Sequence, residues 1–457
     1  MSVCVTLDGR EHQLGFTTSG EEPGREEDFL LPLTLFPAML ARSRLKLPGK
    51  LSPRLLSAVP KIQDVFRLWG DEYWGEVFQG LGRVPLEAEP RTETTERASG
   101  VACFFSGGVD SFYTLLKNQE EVTHLIFVHG FDIALENEAV RSQASVMAGE
   151  VAKALGKTFV EVEANISPFP RTLLGWEKYH GAAMASVALL FQHLFRKALI
   201  AASYTYAELT PWGSHAVLDP LWSTELTEIV HDGCEATRID KLAYIAEHDL
   251  AMRWLRVCNR ARDSAYNCGR CGKCLRARVV LQAVGALERC ETLPHDLSLE
   301  EVANMPMPNE AGRFVVMQTL KALERRGTQP ELRRTIAEVL DKSPQTNEAM
   351  AERAERIHRE RELSVAQKKL EQTHARLEAS RGTTQRLHTK VQRLQARAQR
   401  LETRAERLEE HNRLLNARLS GRRYRLADAL ATIASRTPML GKLVQRQDTA
   451  ENRQPPN

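Results

Sequence analysis

Two stretches of this chain carry residue types whose spacing suits them to chemistry. Ser106-Gly107-Gly108-Val109-Asp110-Ser111 follows the apolar run Val101 to Phe105 and precedes Phe112, Leu115 and Leu116 at helical spacing. The pattern predicts strand, turn and helix, with the glycines where the backbone must bend tightly. A helix that opens at Asp110 or Ser111 points unpaired backbone N–H groups, and the positive end of its dipole, back into that turn. Such a cradle suits an anion, phosphate best of all. An ordinary βα turn with a Ser or Asp N-cap has the same local pattern, so the six residues alone leave both readings open. The second stretch is Cys258, Cys268, Cys271 and Cys274, spaced C-x9-C-x2-C-x2-C. Thiolates two residues apart on a Gly-containing turn share one metal at about 2.3 Å, and four of them close a tetrahedron. With no position left open, Zn2+ in a structural role is the expected occupant, ahead of free thiols or an iron–sulfur cluster.

The elements that must position these groups follow from apolar periodicity. Leu125 to Val128 reads as a second strand, ending in His129-Gly130-Phe131-Asp132. A helix from Asn137 to Leu155 follows, with Val140, Ala144, Met147, Val151 and Leu155 as its apolar positions, and then a strand from Thr158 to Val162. This rhythm predicts an α/β fold with a doubly wound parallel sheet and ligands at the carboxyl ends of its strands. Residues 181–201 read as one buried helix, whose Gln192, His193, Arg196 and Lys197 exclude a membrane span. Polar and aromatic residues then cluster without period from Tyr204 through Trp212, His215 and Asp219 to Trp222, as a pocket lining in preference to a core cover. Arg238 and Lys241 stand before a helix that ends near Leu250. They are the cations best placed to meet phosphates or developing negative charge, with solvated surface charges as the alternative.

Ser-Gly-Gly-x-Asp-Ser after an apolar strand resembles the signature of the PP-loop ATP pyrophosphatases. The four-cysteine knot followed by Arg276 narrows this to a likeness, over residues 99–290, with the 7-cyano-7-deazaguanine synthases of the queuosine pathway. The resemblance implies an adenine nucleotide α-hydrolase-like domain that splits ATP between its α and β phosphates and adenylates a carboxylate or related oxygen. Ammonia, free or delivered by a partner, would then displace AMP on the way to an amide or nitrile. It also implies ATP, Mg2+ and Zn2+ as the bound groups. Ser106, Gly107, Gly108, Val109 and Ser111 would lie on the phosphates, with Asp110 ordering the loop or binding Mg2+. His129 and Asp132 fall in the neighbourhood of adenine and ribose. Together with the cations above, the expected catalytic set is Asp110, Arg238 and Lys241. The likeness stops at Val128-His129-Gly130-Phe131, Lys178-Tyr179-His180-Gly181 and Val217-Leu218-Asp219-Pro220-Leu221, where the family's base-binding segments differ. The acceptor, a small-molecule acid or a protein-borne group, is therefore open. Alternatives are a PP-loop sugar amidotransferase of surface polysaccharide biosynthesis and a non-catalytic nucleotide-binding scaffold.

Upstream, residues 2–16 read as a β-hairpin around Asp8-Gly9, residues 29–41 as an apolar run broken by Pro32 and Pro37, and Ser52-Pro53 as a helix start. A polar linker from Glu87 to Ser99 closes a small α+β N-terminal domain, 1–98. Beyond it we expect a PP-loop domain at 99–292 that includes the knot at 258–274, and a helical connector at 293–345. A coiled coil at 346–430 and a tail at 431–457, disordered in its last part, complete the chain.

The coiled coil rests on Leu387, Leu394, Leu401, Leu408 and Leu415 at heptad position d, with Thr384, Val391, Ala398, Ala405, Asn412 and Leu419 at a. Arg397 with Glu402 and Arg404 with Glu409 have the g-to-e′ spacing of a parallel dimer, so a parallel homodimer through residues 384–419 is expected. The earlier Leu363, Leu370 and Leu377 lie in the other column, and Gly382 marks the change. Residues 351–457 hold 24 Lys+Arg against 13 Asp+Glu, within a net charge of only +3 over 457 residues. Few aromatics interleave with these arginines, which disfavours nucleic acid as the partner. The N-terminus has no basic segment followed by an apolar one, and half of the eight cysteines crowd into the knot. Both features fit a cytoplasmic enzyme and argue against a disulfide framework.

Overall fold

A computed structural model describes residues 1–7, 10–75, 78–93, 96–166, 175–258, 266–306 and 310–436. Its elements begin with a hairpin of β1 (Ser2–Leu7) and β2 (Arg10–Ser19), followed by α1 (Leu30–Ala41), β3 (Leu45–Leu51), α2 (Pro53–Glu72) and β4 (Leu86–Pro90). The Asp8-Gly9 turn of that hairpin lies outside the described residues. Next come β5 (Gly100–Phe104), α3 (Val109–Lys117), β6 (His124–His129), α4 (Glu138–Ala154), β7 (Thr158–Asn165), α5 (Trp176–Leu190), β8 (Phe195–Ala201) and β9 (Glu228–Asp232). The helices α6 (Arg238–Ile245), α7 (Asp249–Trp254), α8 (Gly272–Val284), α9 (Leu299–Ala303), α10 (Glu310–Arg326) and α11 (Pro330–Arg436) complete the described chain.

The central sheet runs β1-β2-β7-β6-β5-β8-β9, while β3 and β4 pair apart from it. Five neighbours, β7 through β9 in that order, are parallel, and only the hairpin joins antiparallel, through β2 on β7. The chain leaves β5 toward β6 and β7 and then crosses back to β8 on the other flank. The carboxyl end of β5 is therefore the point where strand order reverses, the place where open α/β sheets bind ligands. Cys103 of β5 lies between Leu125 of β6 and Leu199 of β8, buried on both sides as an inner parallel strand must be.

Alternating side chains of the strands feed two cores. Ala102, Phe104, Ile126, Val160, Ala198 and Ile200 pack toward α1, α2 and α5. Val101, Cys103, Phe105, Leu125, Phe127 and Leu199 pack toward α3, α4, α6, α7 and α8. A third cluster joins Leu275, Val279 and Ala283 of α8 to Val316 and Leu323 of α10 and to Leu332, Ile336 and Val339 of α11. The chain divides into two units, Met1–Glu352 and Arg353–Asn457. No described helix is long and apolar enough to cross a membrane.

Several expectations change. Residues 1–98 do not close on themselves: β2 extends the central sheet, and α1 and α2 supply one of its two covering layers. The run 29–41, read as broken, is the helix α1. Pro32 sits in its first turn, where no N–H is needed. Pro37 leaves the Leu33 carbonyl without its helical donor, and the buried Tyr179 hydroxyl donates to that carbonyl at 2.5 Å instead. The run 181–201, read as one helix, is α5, a turn and then β8. A strand covered on both faces is as continuously apolar as a buried helix, so periodicity does not separate them. The start of α2 is as expected, with Ser52 accepting from the Leu55 N–H at 3.0 Å ahead of Pro53. Of the tail expected at 431–457, residues 437–457 lie outside the described residues.

Candidate functional site

The turn after β5 is built by its own small residues. Gly107 has φ +76°, a backbone conformation that favours glycine, while the Met147 Cε that a Cβ there would meet at 2.7 Å is the movable end of a flexible side chain. Gly108 is the N-cap of α3, so the N–H groups of Val109, Asp110 and Ser111 form its first turn, where no intrahelical acceptor exists. Ser111 Oγ donates to the Gly108 carbonyl at 3.1 Å and lies 3.3 Å from Ser106 Oγ, which holds the turn in shape.

This turn opens onto a cavity of about 600 Å3 at the carboxyl ends of β5, β6 and β8. Ser106, Gly108, Val109, Asp110 and Ser111 line it, whereas Gly107 is not among the lining residues. The Gly107 carbonyl instead accepts from the Arg256 N–H at 2.8 Å, tying the turn to the segment that leads into Cys258. Arg238, Arg256, Lys273 and Arg276 add four cationic side chains to the same wall. Burial lowers the pKa of Arg276, and the nearby charge of Arg238 adds to the effect. Arg276 donates to the Pro306 carbonyl at 3.2 Å. The rest of the lining is mixed, with the aromatic Phe131, Trp176, His180 and Trp212, aliphatic side chains such as Ile133 and Met184, and the acids Asp132 and Glu177. Burial holds the His180 imidazole below its usual pKa.

Arg238 and Lys241 do not stand free toward the cavity. Thr237 and Asp240 form a capping box that starts α6, and spacing by three residues puts both cations on one helix face. Arg238 Nη2 lies 3.0 Å from Asp110 Oδ2, and Lys241 Nζ lies 3.3 Å from Asp110 Oδ1 and 2.7 Å from the Ala202 carbonyl. The Lys241 side chain is 2% exposed, so this pair clamps α3 to α6 and to the end of β8. Arg238 still lines the cavity, and Lys241 is not among the lining residues.

His129 is not a lining residue either. It is buried, with Nε2 2.7 Å from Glu161 Oε1 and 3.1 Å from Ser145 Oγ, and its hydrogen bond holds the Glu161 carboxyl below the ordinary carboxylate value. Asp132, three residues on, is exposed and does line the cavity. Within the aperiodic stretch 204–223, Trp212 reaches the cavity. Trp222, fully buried, packs against Phe66 instead. Asp219, also fully buried, accepts from Ser214 Oγ at 2.6 Å and faces His231 Nδ1 at 2.8 Å, which fixes the loop rather than a ligand.

The four knot cysteines come together, all Sγ atoms within 4.8 Å of one another. Three of the separations are 3.5, 3.8 and 3.9 Å. A tetrahedron with metal–sulfur bonds of about 2.3 Å has edges of about 3.8 Å, so the arrangement fits a metal ion such as Zn2+. Gly269, at φ +70°, makes the knuckle turn, and the Cys271 N–H donates to Cys268 Sγ at 3.3 Å. Asn267 Oδ1 accepts from the N–H groups of Val257 and Cys258, while its amide donates to the Leu255 and Thr292 carbonyls. The knot, the Arg256 segment and the Gly107 turn are thus one hydrogen-bonded run.

Sequence spacing singled out the turn, the knot, Arg238 and Asp132. It passed over Arg256, Lys273, Trp176 and Glu177, and met His180 only within a segment that departs from the family. The basic residues flanking the knot cysteines were the available signal for Arg256 and Lys273. Glu177 and His180 come from the first turns of α5, a helix whose start carries no capping side chain. No protein-family model, curated protein or solved structure matches this chain.

Proposed function

We propose that the chain is an ATP pyrophosphatase that adenylates a carboxylate or related oxygen of an acceptor and releases pyrophosphate, in the manner of the PP-loop ligases. The observation that carries the reading is one cavity at the strand-order reversal. There the first turn of α3 and the side chains of Arg256, Lys273, Arg276 and Arg238 converge from separate elements. Backbone N–H groups of the turn and the Arg256 and Arg276 guanidinium groups would hold phosphate oxygens and stabilise the charge that grows on the departing pyrophosphate. Asp110, held by Arg238 and Lys241, keeps the turn and α6 in register. The aromatic wall of Trp176, His180, Trp212 and Phe131 would take the acceptor and exclude water from the reacting atoms.

The knot cysteines would hold Zn2+ as a closed structural site that fixes Arg256 and Arg276 on either side of the turn. Mg2+ has no comparable cage. Among the described residues the knot is the sole group of three or more such ligands, and both Asp110 oxygens face cations.

Incubating the full chain with ATP, ammonia and candidate acceptors, deazaguanine acids and nucleotide-activated sugars among them, tests the reading. AMP and pyrophosphate in equal amounts are expected with the right acceptor. ADP and phosphate as products would overturn the cleavage site. ATP bound tightly with no turnover across the acceptors would favour the scaffold alternative.

A further inference from the structure

Along α11 most of the large apolar side chains between Val391 and Ile433 fall in one stripe, with Leu414, Tyr424 and Leu430 outside it. Leu394, Leu401, Leu408 and Leu415 repeat every seven residues at position d, and Val391, Leu419, Leu426 and Ile433 occupy position a. Each is between 41% and 65% exposed in the single chain. A seven-residue repeat stays on one side of a helix only when that helix supercoils about a partner. We propose that this stripe is the seam of a parallel, in-register, two-stranded coiled coil formed with a second copy of this chain.

Three features select that occupant. In a parallel pair, position g of one helix meets position e of the next heptad of the other. Arg397 then meets Glu402 of the second copy and Arg404 meets its Glu409, each twice by symmetry. In an antiparallel pair like columns meet. The g column reads Lys390, Arg397, Arg404, His411, Arg418 and Arg425, so a basic column would face itself, and Glu402 and Glu409 would meet each other. The ionic complementarity also lies at the heptads of Ala398 and Ala405, where the seam buries least and pairing most needs another source of selectivity. Finally, Asn412 at position a is satisfied by the same residue of an aligned second copy and left unpaired in other registers or larger bundles. Beyond Leu419 position a continues with Leu426 and Ile433, but position d holds Arg422 and Arg418 would face Arg423 of the second copy, so the selective part of the seam is residues 391–419.

Sedimentation equilibrium on the full chain at micromolar concentration is expected to give twice the single-chain mass. Arg397→Glu with Arg404→Glu should weaken self-association at least tenfold, as should Glu402→Arg with Glu409→Arg. An equimolar mixture of the two variants should regain the dimer. Near-UV circular dichroism should stay unchanged, so loss of the dimer is not loss of the folded sheet domain. Asn412→Cys should yield, on oxidation, a disulfide-linked peptide joining residue 412 of both copies. A monomer, a trimer or tetramer, insensitivity to charge reversal, absence of the 412–412 link, or stable pairing with a different protein alone would each overturn the proposal.

Discussion

At the scale of single residues, the cavity separates side chains that hold the fold from side chains that would hold ligand. Asp110 belongs to the first kind. Its carboxylate is the counter-ion of Lys241, whose buried ammonium also bonds the Ala202 carbonyl and lies 5.7 Å from the Tyr113 ring centre. Removing one member of such a pair leaves a charge without compensation, a loss of about 3–5 kcal/mol when both are fully buried. Asp110 and Arg238 retain 19% and 31% side-chain exposure, which lowers the expectation to about 1–3 kcal/mol. Asp110→Asn should therefore lower the urea midpoint as well as activity. Arg276 belongs to the second kind, with a hydrogen bond to the Pro306 carbonyl and a place on the cavity wall. Arg276→Ala should leave the urea midpoint where it is and reduce pyrophosphate release by about 10²-fold, the usual effect of removing one charge-stabilising donor. Equal stability losses in both variants, or unchanged turnover in Arg276→Ala, would contradict this division of roles.

At the scale of elements, the cysteine knot and the turn act as one piece. The Arg256 N–H bonds to Gly107, Asn267 bonds to Cys258, and Arg278, buried inside α8, donates to the Gly269 carbonyl of the knuckle. Removing the metal ion that the four cysteines could hold should release this run while the sheet, whose ladders do not pass through the knot, stays closed. Hydrogen exchange is then expected to quicken at residues 105–111 and 255–258, with β6 and β7 remaining protected, and ATP affinity to fall. Protection of 105–111 unchanged in metal-free protein would show that the knot does not position the turn. Such coupling was beyond the reach of spacing alone. The strand, turn and helix around Ser106 and the four cysteines were legible because each is local: a glycine turn, a first helical turn, a ligand spacing. The contact between Arg256 and Gly107 spans roughly 150 residues and has no local signature. The α5–β8 boundary was hidden for a different reason. Its turn carries Gln192, which is buried against Asp28 and Thr224 instead of marking a solvated loop. Likewise Pro37 reads as a helix breaker until Tyr179, a long way along the chain, supplies the missing donor.

At the scale of the molecule, the described residues of the three apolar clusters lie before residue 341, yet the third cluster depends on the opening turns of α11. Leu332, Ile336 and Val339 are at most 6% exposed and cover Val279 of α8 and Val316 and Leu323 of α10. The same α8 presents Lys273 and Arg276 to the cavity, so this packing braces the cationic wall. Cutting the chain after residue 352 keeps every cluster whole. Cutting it after residue 329 exposes that face. Burial of three aliphatic side chains contributes about 1.5–3 kcal/mol each as an upper bound, reduced because denatured chains already bury part of that area. A loss of about 5 kcal/mol is then expected, comparable with the whole stability of many domains. Residues 1–352 should therefore unfold at the denaturant midpoint shown by those residues in the full chain and retain the ATP cleavage proposed above. Residues 1–329 should unfold at a much lower midpoint, or accumulate as aggregate, and bind ATP weakly. Equal midpoints for the two fragments would mean that the start of α11 does not support α8. Failure of residues 1–352 to fold would mean that the division at Glu352 misplaces part of the core.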